Sequence, residues 1–170
     1  ALFRVLHDHH EARPWWEWPA GLAAREAEAM AETRATHADA ILEVCWTQWI
    51  AQRQWEQARR DLDGIALLGD LPFMVSADSA DVWARQYAFD LSASIGVPPD
   101  AFSATGQDWG LPVYRWDVMA DEDFEWIHQR ARRYAARRSV RFPIFTRSVL
   151  LWMLLFAMMG AAFGGSGAFF

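Results

Sequence analysis

The chain of 170 residues is 53% hydrophobic, enough for the core of one domain, and has a formal net charge of −6. That charge is uneven: all 22 acidic residues lie before residue 126, whereas 126–170 hold seven arginines and no carboxylate. The acidic part argues against a nucleic-acid partner, and the single cysteine, Cys45, leaves no internal disulfide and fits a reducing cytoplasm.

Residues 1–20 read as a helix end followed by the aromatic loop Pro14-Trp-Trp-Glu-Trp-Pro19, and 22–35 as an Ala/Glu-rich helix. The chain starts at Ala1 with no charged-then-apolar leader, so no signal peptide is expected and the true N-terminus is expected upstream. Ile41, Cys45, Trp49, Trp55, Ala58 and Leu62 recur at helical spacing and predict an apolar stripe over about 38–63, closed by Gly64. The short apolar run 65–69 suits a buried parallel strand with Asp70 at its carboxyl end. Asp78 and Asp81, before Val82 and Trp83, read as the cap and the acidic first turn of a helix, with Trp83 in the core. A second amphipathic helix is expected over about 121–138, with Phe124, Ile127, Ala131 and Tyr134 on one side. His7-Asp-His-His10 has adjacent rather than i, i+4 histidines, a poor pattern for a metal.

The stretch with most chemistry is Gly96-Val-Pro-Pro-Asp-Ala-Phe-Ser-Ala-Thr-Gly-Gln-Asp-Trp-Gly-Leu-Pro-Val-Tyr-Arg-Trp-Asp117. Three prolines and three glycines set its turns, and Phe102, Trp109, Tyr114 and Trp116 stand among Asp100, Gln107, Asp108 and Asp117. A pyranose offers a C–H face that stacks on an aromatic ring and hydroxyls that need hydrogen-bond partners, so this mixture suits a sugar-binding loop. With Gly69-Asp-Leu-Pro-Phe-Met-Val75 and Asp78-Ser-Ala-Asp-Val-Trp-Ala84, the run resembles the 4-alpha-glucanotransferases (amylomaltases, disproportionating enzymes), over residues 1–138.

The resemblance implies an α/β architecture, a fragment of an incomplete (β/α)8 TIM barrel, acting on α-1,4-glucans and malto-oligosaccharides without cofactor or metal. It implies glucan contacts for Asp70, Asp100, Phe102 and Trp109. Asp70 can also be read as a turn former, and Asp100 and Phe102 as loop pins. Tyr114 and Trp116 are expected to pack beneath the loop, and Trp15, Trp16 and Trp18 to pack rather than present a sugar platform.

In the family, the helix similar to 121–138 leads into a strand bearing Arg-x-Asp-His, whose Asp is the nucleophile; an acid/base Glu and a second Asp follow. None of these is present after Glu125, so catalytic residues are expected to be absent and the chain inactive alone. Residues 139–170 form a separate tail, Arg-bearing and then apolar. From 148 to 170 it reaches the ~20 residues that span a bilayer, with arginines before it. A frameshift or chimera is the preferred reading, because it also explains the lost acids and the end of the match. No membrane partner is then expected.

Overall fold

The computed structural model describes residues 1–62, 65, 71–72 and 74–137. The expected strand at 65–69, Asp70 and the tail 139–170 therefore lie outside the described residues, Ile65 excepted. Among the described residues seven α-helices and two strands follow in chain order: α1 (Leu2–His9), α2 (Ala20–Ala23), α3 (Ala27–Thr36), α4 (Ala38–Asp61), α5 (Ala80–Ala84), β1 (Phe89–Val97), β2 (Gln107–Tyr114), α6 (Trp116–Asp121) and α7 (Glu125–Arg137). The sheet among the described residues is antiparallel and two-stranded.

Tryptophans dominate the core. Trp15, Trp18 and Trp83 are buried beside Leu6, Met30 and Val82. A buried indole needs an acceptor for its N–H, and each finds a backbone carbonyl: Trp15 Nε1 donates to Ala77 O (2.8 Å), Trp18 Nε1 to Arg13 O (2.9 Å) and Trp83 Nε1 to Leu22 O (3.0 Å). The Trp15 and Trp83 bonds tie the aromatic loop and α2 to the segment around α5, and the Trp18 bond closes the aromatic loop on itself. Trp15 and Trp18 lie in the core, whereas Trp16 is 49% exposed and packs only edge-on against the Trp15 ring at 5.5 Å.

Several predicted elements are redrawn. The single helix over 22–35 is two helices, α2 and α3, broken at Arg25, whose φ is 59°. That break lets the Arg25 guanidinium lie over the Trp83 ring (4.9 Å) and donate to Ala84 O. The helix over 121–138 is likewise α6 and α7, divided by Asp123 and Phe124 at φ 51° and 53°. Asp78 is not the cap of α5; Ser79 is, its hydroxyl accepting from Val82 N at 3.3 Å. Asp78 instead accepts from Trp15 N (3.3 Å) and meets His7 Nε2 at 3.0 Å.

Helix α4 forms where its spacing predicts, and its 24 residues span roughly 36 Å at 1.5 Å per residue. Its apolar stripe, however, is not core: none of its residues is buried, and Trp46 is 57% exposed, stacked on Trp49 at 4.9 Å. Helices α1 and α3 pack against it, and the Arg53 guanidinium lies 5.9 Å from the centre of the Trp49 ring, yet Trp46 and Trp49 stay exposed. Cys45 on this helix is exposed and free. No helix among the described residues is long and apolar enough to cross a membrane.

Candidate functional site

The stretch 96–117, expected as an irregular binding loop, is mostly a hairpin. β1 pairs with β2, from Phe89 opposite Tyr114 at the base to Val97 opposite Gln107 near the tip. The base is anchored in the core: Phe89 and Tyr114 are buried with ring centroids 5.2 Å apart, and Trp126 of α7 closes on them at 5.6 and 6.1 Å. Arg85 and Arg130 lie over Trp126 at 5.4 and 4.9 Å. Burial pushes the Tyr114 hydroxyl above its ordinary value, opposed by the nearby Arg130 charge. Tyr114 and half-buried Trp116, 5.0 Å apart, thus support the hairpin from below as expected.

The outer half projects away from this base, and its ladder is broken twice. Asp90 pairs with Val113 and Ser94 with Pro112, which leaves 91–93 looped out of β1. Ile95 pairs with Leu111 and Gly96 with Asp108, which leaves Trp109 and Gly110 looped out of β2. Bulges re-aim side chains and raise local twist, and each one here follows an aspartate whose Oδ1 braces it. Asp90 accepts from Ser92 N (2.9 Å) and Ser92 Oγ (2.6 Å); Asp108 accepts from Gly110 N (2.9 Å) and Ser94 Oγ. The serine hydroxyl in each case, then the backbone N–H, holds the carboxyl below its usual range.

The strands meet closely beyond the second bulge. A Cβ at Gly96 would fall 2.1 Å from the Gln107 carbonyl oxygen, so only glycine fits there. At the tip, Asp100 Oδ1 accepts from Phe102 N (2.8 Å) and Ser103 N (2.7 Å), while Ser103 Oγ donates to Gly106 O (2.7 Å). Asp100 therefore has the loop-pinning role, and it leaves Phe102 97% exposed. Trp109 is 41% exposed, its Nε1 donating to Gln107 Oε1 at 3.0 Å.

Of the four residues predicted to contact glucan, the hairpin carries Asp100, Phe102 and Trp109, and Asp70 lies outside the described residues. Sequence reasoning missed Ser94 and Asp90. The signal for the Asp108 brace was present in Asp108-Trp-Gly110, an aspartate two residues before a glycine; its cross-strand partner Ser94 carried none. The result is an exposed surface of aromatic rings interleaved with carboxylates and amides, on a hairpin rooted in a packed aromatic base. Of the N-terminal histidines, His7 meets Asp78, while His9 lies 4.8 Å from the His37 ring.

Comparison with known proteins accounts for this arrangement. A sequence model of the 4-alpha-glucanotransferase family matches residues 1–140. A 4-alpha-glucanotransferase of Thermus thermophilus is 38% identical over 161 residues, covering 89% of this chain and 32% of that protein. A chloroplastic/amyloplastic 4-alpha-glucanotransferase of Oryza sativa subsp. japonica is 38% identical over 141 residues, 78% of this chain and 24% of that one. The structure of amylomaltase from Streptococcus agalactiae in complex with acarbose superposes with a TM-score of 0.76 at 33% identity, over 81% of this chain and 30% of that chain. This mixed helix and strand fold is that of a segment of the amylomaltase on which it superposes. The chain belongs to the 4-alpha-glucanotransferase family, and it spans about a quarter to a third of the length of these relatives.

Proposed function

We propose that this chain is part of a (β/α)8-barrel 4-alpha-glucanotransferase that moves α-1,4-glucan segments between malto-oligosaccharides, and that its hairpin is a glucan-positioning surface. The observation that carries this is the display of Phe102 and Trp109 on a braced hairpin beside polar groups, in a family whose structural neighbour was solved with acarbose. Asp70 is read in the same role, with the resemblance as its one support. The reaction is a retaining double displacement: a carboxylate attacks the anomeric carbon, a second carboxyl protonates the departing sugar, and the 4-hydroxyl of another glucan displaces the enzyme. It calls for two carboxyls ~5–5.5 Å apart. Transfer rather than hydrolysis needs an acceptor held in place with water kept out, and exposed aromatic faces serve both ends. No cofactor enters this scheme.

The 170 residues supply positioning groups, not the chemistry, because Glu125 is their last carboxylate and no Arg-x-Asp-His follows it. As a polypeptide in isolation the chain is accordingly a glucan binder without transferase activity. We read 139–170 as a tail foreign to the family, a reading supported by the loss of every carboxylate after Glu125 and by the family-model match ending at residue 140, while the match to the Thermus thermophilus protein takes in 89% of the chain. The exposed free thiol of Cys45 suits a reducing compartment, which supports the cytoplasm as its location.

Two measurements on the full chain test this. Isothermal titration with maltoheptaose detects binding, and incubation with maltotriose followed by chromatography detects transfer. Saturable binding with no glucose or longer oligomers is the expected pair. The absence of binding removes the positioning surface, and new oligomers above a no-protein control refute the missing chemistry.

A further inference from the structure

The exposed Trp109 indole sits on two residues looped out of β2, a place where a side chain is free to swing unless something holds it. Three contacts hold it. Asp108 Oδ1 accepts from Gly110 N at 2.9 Å, bridging the backbone directly across Trp109. The same oxygen accepts from Ser94 Oγ, which ties the bulge to the opposite strand. The indole N–H is fixed to Gln107 Oε1 at 3.0 Å. Gly110, at φ 63° with open space where a Cβ would lie, lets the backbone make the turn the carboxylate braces. Asp108 is itself exposed and outside the buried core cluster, so the contacts it makes shape the bulge and not the core.

We propose that Asp108, acting with Ser94, is a positioning residue that holds the Trp109 indole ready to stack on a sugar ring of an α-1,4-glucan. This rests on the reading of the hairpin as a glucan-positioning surface and adds to it the group that sets the geometry. A ring held in advance spares the ordering cost that a mobile one incurs on binding, so losing the brace weakens affinity without removing any sugar contact.

The test uses the full chain labelled with 5-fluorotryptophan, the Trp109 resonance being assigned by its loss in Trp109→Phe. Fluorine spectra and maltoheptaose titrations are recorded for Asp108→Ala, Asp108→Asn and Ser94→Ala. Asp108→Ala and Ser94→Ala are expected to shift or broaden the Trp109 line and leave the Trp83 line unchanged. Asp108→Ala should weaken maltoheptaose binding about three- to tenfold. Asp108→Asn, which keeps an acceptor oxygen in place, should recover much of both signals, and the melting temperature should stay within a degree or two of wild type. A Trp109 line indifferent to Asp108→Ala overturns the proposal. So does a moved line with wild-type affinity, provided Trp109→Ala weakens binding. If the wild-type chain binds no maltoheptaose, the functional reading falls, and the fluorine line alone still decides whether the brace exists.

Discussion

His7 and Asp78, 71 residues apart in sequence, meet at 3.0 Å between Nε2 and Oδ2, and the other carboxylate oxygen takes the Trp15 N–H at 3.3 Å. One partly buried side chain thus joins α1 and the aromatic loop to the segment that leads into α5. Asp78→Ala leaves both donors without their partner and should cost roughly 1–3 kcal/mol of unfolding free energy. Ser79→Ala, which removes only the helix cap, should cost about 1 kcal/mol. Urea titrations of the two variants check the order, and equal losses would restore Asp78 to a mere capping role.

Gly96→Ala should disrupt the outer hairpin, because the new methyl would lie 2.1 Å from the Gln107 carbonyl oxygen, a backbone atom that cannot rotate away. The base, held by Phe89, Tyr114 and Trp126, should survive. Limited proteolysis is expected to show new cleavage confined to 91–113, and unchanged protection there would refute the close approach.

Trp109→Ala and Trp83→Ala should separate function from stability. Trp109 is exposed on the hairpin, whereas Trp83 is buried with its N–H bonded and Arg25 over its ring. Losing the first should weaken maltoheptaose binding by about 0.5–1.5 kcal/mol with little change in melting temperature. Losing the second should cost about 3–5 kcal/mol of stability. A large fall in melting temperature for Trp109→Ala, with affinity intact, would make it structural.

Acid should weaken the N-terminal corner through His10. Burial first, then the His9, Arg13 and His37 charges, hold this imidazole below its ordinary 6.5, and its Nε2 is enclosed without a hydrogen-bond partner while Trp18 stacks on the ring at 5.5 Å. The folded chain therefore binds fewer protons at His10 than the unfolded chain. Its contribution is complete above pH 6.5 and is lost as the pH falls through the lowered folded value. Melting temperature measured from pH 7.5 to 5 should decline less steeply in His10→Gln than in wild type; parallel curves would exclude His10 as a source of the slope.

Deleting 139–170 should raise solubility without creating transferase activity, since the tail carries no acid and is largely apolar while the described part exposes Trp46 and Trp49. Sedimentation of the two forms at equal concentration checks this, and a truncated chain less soluble than the full one would show that the tail covers apolar surface.

Much of the secondary structure was legible from local signals. Helix α4 follows from apolar spacing, and the start of α5 from Asp81 in its first turn, although Ser79 and not Asp78 is its cap. The joints were not legible: Arg25, Asp123 and Phe124 adopt left-handed backbone angles that their side chains do not advertise. Nor was the hairpin within 96–117, because its prolines and glycines argue against regular strands, and the pairing partner for β2 begins upstream at Phe89.

The sequence by itself determined the family, the sugar-suited chemistry of 96–117 and the absence of a carboxylate after Glu125, because residue order and type are enough for each. Only the tertiary structure decided how those residues act. It made Asp100 the loop pin and left Phe102 outside, and it gave Asp78 to His7 and Trp15. It also braced Trp109 through Asp108 and Ser94, 14 residues apart. The physical reason is that a carboxylate bonds to whichever donors the fold brings within about 3 Å, and such neighbours on another strand or helix leave no periodic trace in the chain.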